Sequence, residues 1–469
     1  MLPDPRALLD DVPRVREALL QAGWTSAALE ELLGSGHRLQ LDRDELAPLR
    51  RRSQGGSSLE QLAQALILGD PVPSGLLPDS WVAPDGRCWV RLQAVEHGGV
   101  DVTVPHDPGS AAAAVEVEQV LGVGAASLTL AAATPRAVVG RVLDLGTGAG
   151  IQALLADDHC STVVATDRNA RAVAYAQLAA ALNDVSIEVR SGDLLEPVVG
   201  EVFDLVVSNP PFVIGPSRRY TYRDAGYDGD EVCRRLVRDI PAVLAASGHA
   251  VLLVNWLHLE GESGDDRVRS WFEGTGCDGW VVQRELAAPE DYVTAWLRDT
   301  DESAFDALYD EWVDALVGVE AVAFGVLAMH KRTDGRASQV VVDTVDQPTA
   351  VTWGEEVLAH FRRRELVEGD LLAVPLVLRE DVRLHQVASR TDEGWIADTQ
   401  VLQQQRGLRW RGGIDGYGAA LLAGCDGTQP LGTLIGILAA SADLSVGEAT
   451  EQVLPVVRRL VEQGFLVPS

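Results

Sequence analysis

Lysine is almost missing from this chain of 469 residues: Lys331 is the only one, and arginine carries nearly all the positive charge. Positive charge is itself scarce, 39 Lys and Arg against 69 Asp and Glu, a formal net charge of −30. Such a field repels phosphate backbones over most of the surface, which weakens a nucleic-acid role but leaves room for a local basic patch. Cysteine is sparse too. Cys88, Cys160, Cys233, Cys277 and Cys425 are scattered and odd in number, with no CxxC pair, so neither a zinc site nor a disulfide framework is expected and no metal is assigned. A reducing cytoplasm fits that usage. No run of about 18 uncharged apolar residues is present, so no transmembrane helix and no membrane partner are expected. The start, MLPDPRALLDDVPRV, is acidic and broken by prolines, unlike a signal peptide.

What is abundant is apolar surface, 46% of residues. The length exceeds the roughly 250–300 residues that one core usually serves, so two or more domains are expected. Residues 13–33 and 58–68 have helical spacing, closed by Pro71, Pro73 and Pro78. Strand-like runs follow at 88–92 and 100–104, joined across Gly98-Gly99. From about 134 short apolar runs (138–143, 162–165, 187–189, 204–207, 250–254) alternate with helical stretches such as 170–182 and 230–246. That alternation predicts an α/β fold with a parallel sheet covered on both faces. Residues 319–329 add a last strand beside 280–286. The division expected is a helical N-terminal domain (1–75), a β-hairpin connector (76–133), the α/β domain (134–332) and a mixed C-terminal domain (333–469), with a winged-helix-like order of helix, helix and strand at 425–469.

The first α/β run leads into Asp144-Leu145-Gly146-Thr147-Gly148-Ala149-Gly150, and then a helix. Small residues let a ligand approach backbone amides at a helix N-terminus, although a tight strand-to-helix turn has the same composition. The spacing is GxGxG, and Ile151 stands where a dinucleotide GxGxxG would need its last glycine, which disfavours a nicotinamide oxidoreductase. Asp167 ends the next strand, where an acid can take a ribose hydroxyl pair. Asp193 follows the third, in Gly192-Asp193-Leu194. Each acid alone would read as a solvated strand-end carboxylate.

This ordered set resembles the class I S-adenosylmethionine-dependent methyltransferases over about residues 120–332, which implies a Rossmann-like sheet. In that family the glycine loop lies against the methionine part of the cofactor, the acid after the second strand binds ribose and the acid after the third reads adenine. The resemblance therefore implies S-adenosyl-L-methionine as cofactor, held by Asp144, Gly146, Thr147, Gly148, Gly150, Asp167, Asp193, Leu194 and Asn209.

The fourth strand ends in Asn209-Pro210-Pro211-Phe212. Proline cannot donate to a sheet ladder, so the strand stops here. A bare proline stop is one reading; the other is the (N/D/S)PP(Y/F/W) signature of amino-group methyltransferases, which it resembles. There the Asn209 side-chain oxygen and the Pro210 carbonyl would hold two N–H groups of a planar acceptor, Pro211 would fix the turn, and Phe212 would stack on the acceptor. Much of such catalysis is orientation and fixed electrostatics, with no strong base needed. The following Arg223-Asp224-Ala225-Gly226-Tyr227-Asp228-Gly229-Asp230 is similar to release factor glutamine methyltransferases, whereas Phe212 in place of tyrosine is common in adenine and guanine methyltransferases of RNA. Arg219, Tyr220 and Tyr222, with Arg218 and Arg223, would line a substrate entrance or form a solvated loop.

Two cationic features remain near the C-terminus. Arg406-Gly407-Leu408-Arg409-Trp410-Arg411 is the best basic-aromatic cluster, and reads first as a surface turn. The helix near 445–463 balances Glu448, Glu451 and Glu462 against Arg458 and Arg459, which favours packing or protein docking over phosphate contact. Three functions are therefore expected in order: N-methylation of a protein glutamine amide, N-methylation of an adenine or guanine amino group of RNA or DNA, and a cofactor-binding docking module. The intact Asn-Pro-Pro-Phe disfavours the last.

Overall fold

The structure, a computed structural model, describes residues 3–42, 45–108, 118–216, 229–298, 302–392 and 394–469. The chain divides into two compact units, Met1–Ala131 with Arg136–Thr344, and Ala132–Pro135 with Val345–Ser469.

The first unit begins with helices α1 (Val12–Ala22), α2 (Ser26–Leu33), α3 (His37–Asp42), α4 (Leu46–Arg52) and α5 (Ser58–Leu66). Their starts are written locally. Ser57 and Glu60 form a reciprocal capping box at α5, satisfying two amides that a helix N-terminus leaves orphaned. The hairpin of β1 (Arg91–His97) and β2 (Val100–His106) turns at Gly98 and Gly99, both at positive φ. Its first strand starts at Arg91 rather than Cys88, because Cys88 is taken by a separate bridge to Val82. Helix α6 (Ala125–Ala133) leads into the main sheet.

That sheet contains β3 (Val139–Leu145), β4 (Cys160–Asp167), β5 (Ile187–Ser191), β6 (Phe203–Ser208), β7 (Leu244–Leu259), β8 (Cys277–Ala287), β9 (Val319–Lys331) and β10 (Val340–Thr344). The spatial order is β10-β8-β9-β7-β6-β3-β4-β5. Every neighbouring pair is parallel except those of β9, which is antiparallel to β7 and β8. This is a Rossmann-like sheet whose strand order reverses between β3 and β6. Ligands bind at the carboxyl ends of strands flanking such a reversal.

The helices between the strands are α7 (Ile151–Ala156), α8 (Ala170–Asn183), α9 (Glu231–Asp239), α10 (Gly264–Ser270), α11 (Pro289–Leu297) and α12 (Glu302–Asp314). One continuous core joins the N-terminal helices and the hairpin to α7 and α8, from Leu8, Val15 and Trp81 to Ile151, Tyr175 and Leu178. Asn183 at the end of α8 completes the free edge of β2, its side chain accepting from the Thr103 amide and donating to the Thr103 carbonyl, both at 2.8 Å.

Two expectations are corrected here. The helix expected at 230–246 ends at Asp239, because Pro241 supplies no N–H and residues 240–242 tighten into a 3-10 turn. Strand β7 then starts at Leu244, six residues before the apolar run at 250, and crosses Ser247, at φ 62, in an irregular stretch of its pairing with β6. The sheet is also not complete by residue 332, since β10 pairs with β8 beyond that point. Between them Lys331 is a structural pin, its ammonium donating to the Pro241 and Leu244 carbonyls at 2.8 and 2.7 Å.

The second unit holds α13 (Gly354–Glu368), β11 (Pro375–Leu378), β12 (Val382–Thr391), β13 (Gly394–Gln404), β14 (Arg411–Gly413), α14 (Gly416–Gly424), β15 (Asp426–Pro430), α15 (Leu431–Ser441), α16 (Val446–Glu462) and β16 (Leu466–Pro468). Its two three-stranded sheets run β15-β11-β16 and β12-β13-β14. The helix, helix and strand order read at the end of the chain is present as α15, α16 and β16, and Phe361, Leu376, Ile435, Val457 and Phe465 are buried in this unit. All five cysteines are unpaired. Among the described residues no helix is long and apolar enough to cross a membrane.

Candidate functional site

At the reversal point lies a cavity of about 330 Å³. Its floor is the loop after β3. Gly146 and Gly148 sit at φ 75 and 57, and a Cβ on either would meet no atom within 4 Å. The loop thus offers bare backbone to a ligand at positive φ, where glycine carries no steric penalty. Its shape is held from three sides. The Gly146 and Thr147 amides both donate to the Thr166 carbonyl at 2.9 Å. Asp144, buried at the end of β3, accepts from Thr147 Oγ1 at 2.6 Å and from the Ala153 amide at 3.0 Å. Burial pushes its carboxyl up to about 7 against the opposing pull of those hydrogen bonds.

Asp167, at the end of β4, accepts from the Gly148 amide at 2.9 Å and the Asn169 amide at 2.8 Å, one on each oxygen. Both bonds aim the carboxylate and leave lone pairs for a ligand. Burial raises its pKa above the usual carboxylate range. Beside it the hydroxyl of Thr166 is buried and without a hydrogen-bond partner, and Thr166 lines the cavity. Asp193 is half-buried after β5 and lines the same cavity, and its carboxylate makes no hydrogen bond to any described residue. Leu194 next to it is held at φ 44; a non-glycine residue in that region is rare and clusters at ligand clamps.

The opposite wall begins where β6 stops. Asn209, Pro210, Pro211 and Phe212 all line the cavity. Ser208 Oγ donates to the Leu145 carbonyl at 2.8 Å, locking the end of β6 to the end of β3. The Asn209 amide is half-buried and makes no hydrogen bond to any described residue, so its oxygen is available. Phe212 is packed against Phe324 of β9, ring centroids 5.5 Å apart and tilted 45°. It therefore presents one braced ring and is not free to swing.

Of the residues expected at the site, Gly150 is displaced. It does not line the cavity; at φ 90 it starts α7, and its Cβ position lies 3.4 Å from the Ala176 backbone, so it permits close packing on α8. Arg219, Tyr220 and Tyr222 lie outside the described residues, as do Arg218 and Arg223. At the far end of that stretch, Asp230 is a buried anchor. It accepts from Arg267 at 2.7 and 2.9 Å and from the Leu257 amide at 3.1 Å.

Several lining residues carry no sequence signal of their own. Gln119, Val120 and Gly122 form one rim. They are placed by Asp107, buried, which accepts from the Val120 amide at 2.8 Å, from Tyr175 Oη at 2.7 Å and from Arg171. Val232 and Leu236 of α9 and Trp296 of α11 complete the far wall. Among the described residues no cluster of three or more His, Cys, Asp or Glu could hold a metal ion.

The class that this fold and cavity define is a Rossmann-like sheet with an open glycine loop and a polar turn at its reversal point. Residues 120–262, which carry the cavity's loop and turn, match the family model described as methyltransferase small domain. Residues 21–99 and 357–468 match models described as domains of unknown function, DUF7059 and DUF7782. The release factor glutamine methyltransferase of Xylella fastidiosa (strain 9a5c) is 35% identical over 129 residues, 25% of this chain and 47% of that protein. The ribosomal protein uL3 glutamine methyltransferase of Bradyrhizobium diazoefficiens is 36% identical over 166 residues, 32% of this chain and 52% of that protein. The ribosomal RNA small subunit methyltransferase C of Alcanivorax borkumensis is 32% identical over 116 residues, 25% of this chain and 32% of that protein. The chain thus spans about half the length of the first two and less of the third. Among solved structures, the T. thermophilus 16S rRNA N2 G1207 methyltransferase in complex with AdoMet and guanosine is 20% identical, covering 59% of this chain and 61% of its own, with a TM-score of 0.33.

Proposed function

We propose that this protein is an S-adenosylmethionine-dependent methyltransferase acting on a planar nitrogen, and that the acceptor is a protein glutamine amide. The observation that carries the reading is the Asn209 side chain. It stands without a hydrogen-bond partner among the described residues, in one cavity with an open glycine loop and two aimed or free carboxylates. The residues fit the cofactor: the bare backbone at Gly146 and Gly148 gives room for its amino-acid part, Asp167 suits a ribose diol, Asp193 suits an adenine amine, and Thr166 Oγ1 is a buried group wanting a partner.

When bound, the cofactor supplies a sulfonium methyl that passes to the acceptor nitrogen's lone pair, the sulfur keeping the bonding electrons as a neutral thioether and the nitrogen releasing one proton. The protein's part is orientation. Asn209 Oδ1 and the Pro210 carbonyl accept the two N–H hydrogens of the acceptor, which turns its lone pair toward the methyl carbon. Two prolines keep that carbonyl from yielding. Phe212, braced by Phe324, bounds the acceptor plane. Fixed acceptors in a desolvated cavity need no reorganisation during transfer.

The glutamine reading is supported by two relatives named as glutamine methyltransferases and by the net charge of −30, which opposes a polyanionic acceptor. A second reading, a nucleobase amine of RNA, is favoured by Phe212 and by the relative named as a ribosomal RNA methyltransferase. A reducing, cytoplasmic setting accords with five unpaired cysteines. Tritiated methyl transfer into a cell lysate, then nuclease or protease digestion, tests the choice. Label lost to protease but not nuclease supports the protein amide; label lost to nuclease selects the nucleobase; no transfer at all overturns the enzyme.

A further inference from the structure

Helices α11 and α12 are an insertion connecting β8 to its sheet neighbour β9. Because β8 is antiparallel to β9, and β9 antiparallel to β7, the end of β8 lies on the same edge as the ends of β3 and β6. The insertion therefore stands on the ligand edge. It is fastened to the chain just past the Asn-Pro-Pro-Phe turn. Tyr292 Oη accepts from the Ile214 amide at 2.8 Å and from Asn255 Nδ2 at 3.2 Å. The Trp312 ring lies so close to Gly215 that a Cβ there would be 2.7 Å from it. Ile214, Tyr292, Leu297 and Trp312 share one core cluster.

From this helix Trp296 reaches the cavity that Asn209 and Phe212 line. Its ring is tilted 60° against Tyr292, centroids 6.2 Å apart. One side chain thus holds both the turn, through Ile214, and the ring, through aromatic contact.

We infer that Trp296 is the acceptor-recognition wall of this site, stacking on the planar amide to be methylated, and that Tyr292 is its positioning residue. The inference rests on the methyl-transfer reading. Indole offers a large rigid π-face at small entropic cost, and a planar group held between Trp296 and the Phe212 side keeps one orientation toward Asn209. The insertion is attached on the acceptor half, to residues 214 and 215.

The test uses the full-length chain and the variants Trp296→Ala, Trp296→Phe and Tyr292→Phe. Calorimetry measures S-adenosylhomocysteine affinity. Initial rates of tritiated methyl transfer are measured at several concentrations of the protein and RNA fractions of a lysate. Trp296→Ala should raise the apparent KM for the acceptor fraction by about ten-fold or more, the scale of a lost stacking platform, with S-adenosylhomocysteine affinity unchanged. Trp296→Phe should restore most of it. Tyr292→Phe should lower kcat with cofactor affinity kept. Wild-type kcat/KM in Trp296→Ala overturns the inference alone, as does a loss of S-adenosylhomocysteine binding that matches the loss of transfer. A lowered Tm with unchanged kcat in Tyr292→Phe reduces that residue to packing. A wild-type chain that binds S-adenosylhomocysteine but transfers no methyl to either fraction overturns the inference and the reading beneath it.

Discussion

On the side of the cavity built by β3, β4 and β5, the contacts that shape the ligand surface lie within one strand-end loop or between adjacent ones. Asp144 holds Thr147 and Ala153, and Asp167 holds Asn169 and the Gly148 amide. On the β6 side they span the unit. Ile214 is held by Tyr292, Gly215 by Trp312, and Phe212 by Phe324. The first wall is a set of strand-end turns that any Rossmann-like sheet can present. The second is assembled from the insertion and from β9, about 80 to 110 residues downstream. On the proposed reading, the cofactor side is fixed by hydrogen bonds between adjacent strand ends and the acceptor side by packing, so specificity could change there without disturbing the cofactor.

The sharpest way to separate the two walls is Asn209→Ala. Turnover should fall by about 10²–10³, or roughly 2.7–4 kcal/mol, the usual cost of one preorganised polar contact at a reacting centre. Affinity for S-adenosylmethionine should stay near wild type. Asn209→Asp should keep more activity, since a carboxylate still accepts. Single-turnover transfer beside calorimetry decides it, and wild-type turnover in Asn209→Ala would leave the turn a mere proline stop.

Asp167→Ala is the converse probe. It removes charge-assisted hydrogen bonds worth roughly 1.5–3 kcal/mol, so cofactor affinity should weaken by about ten-fold to a hundred-fold. Unchanged affinity by calorimetry would remove Asp167 from the ribose site.

Gly215→Ala attacks the packing of the acceptor wall. A methyl group driven against the Trp312 ring should destabilise by about 1–3 kcal/mol, as overpacking usually does, seen as a lowered Tm. Acceptor KM should rise while S-adenosylhomocysteine affinity holds. Equal damage to both would mean that the walls are one cooperative piece.

The last probe concerns pH. Asp144 is raised from 3.8 unfolded to about 7 folded. The folded chain therefore binds the extra proton, and the stability this gives is full below about pH 4 and lost as pH rises through 7. Asp144→Asn, which keeps an acceptor for Thr147 and Ala153, should flatten that part of the stability profile in pH-dependent melts. An unaltered slope would show that Asp144 stays ionised throughout.

The glycine spacing, the acids at 167 and 193, and the Asn-Pro-Pro-Phe stop were legible in the chain because each is dictated by backbone chemistry within a few residues: positive φ, a free strand end, a missing N–H. The same locality made the strands that flank the cavity readable to within a few residues. It also set the limits. Gly150 fits the loop pattern, and its missing side chain also lets α7 pack on α8. A helical pattern at 230–246 hides the point where Pro241 halts it. By itself, then, the sequence determined a Rossmann-like sheet and the residue types at the carboxyl ends of its strands. Only the tertiary structure decided that Trp296 lines the same cavity as Asn209, that Tyr292 holds Ile214 just past the turn, that Asp107 sets the rim at Val120 and also binds Arg171 and Tyr175, and that β10 extends the sheet past residue 332. The reason is physical. Turn chemistry acts over three or four residues and leaves a signature there, whereas burial is nearly indifferent to sequence separation, so a tryptophan that packs into a core and one that walls a site look alike until the chain has folded.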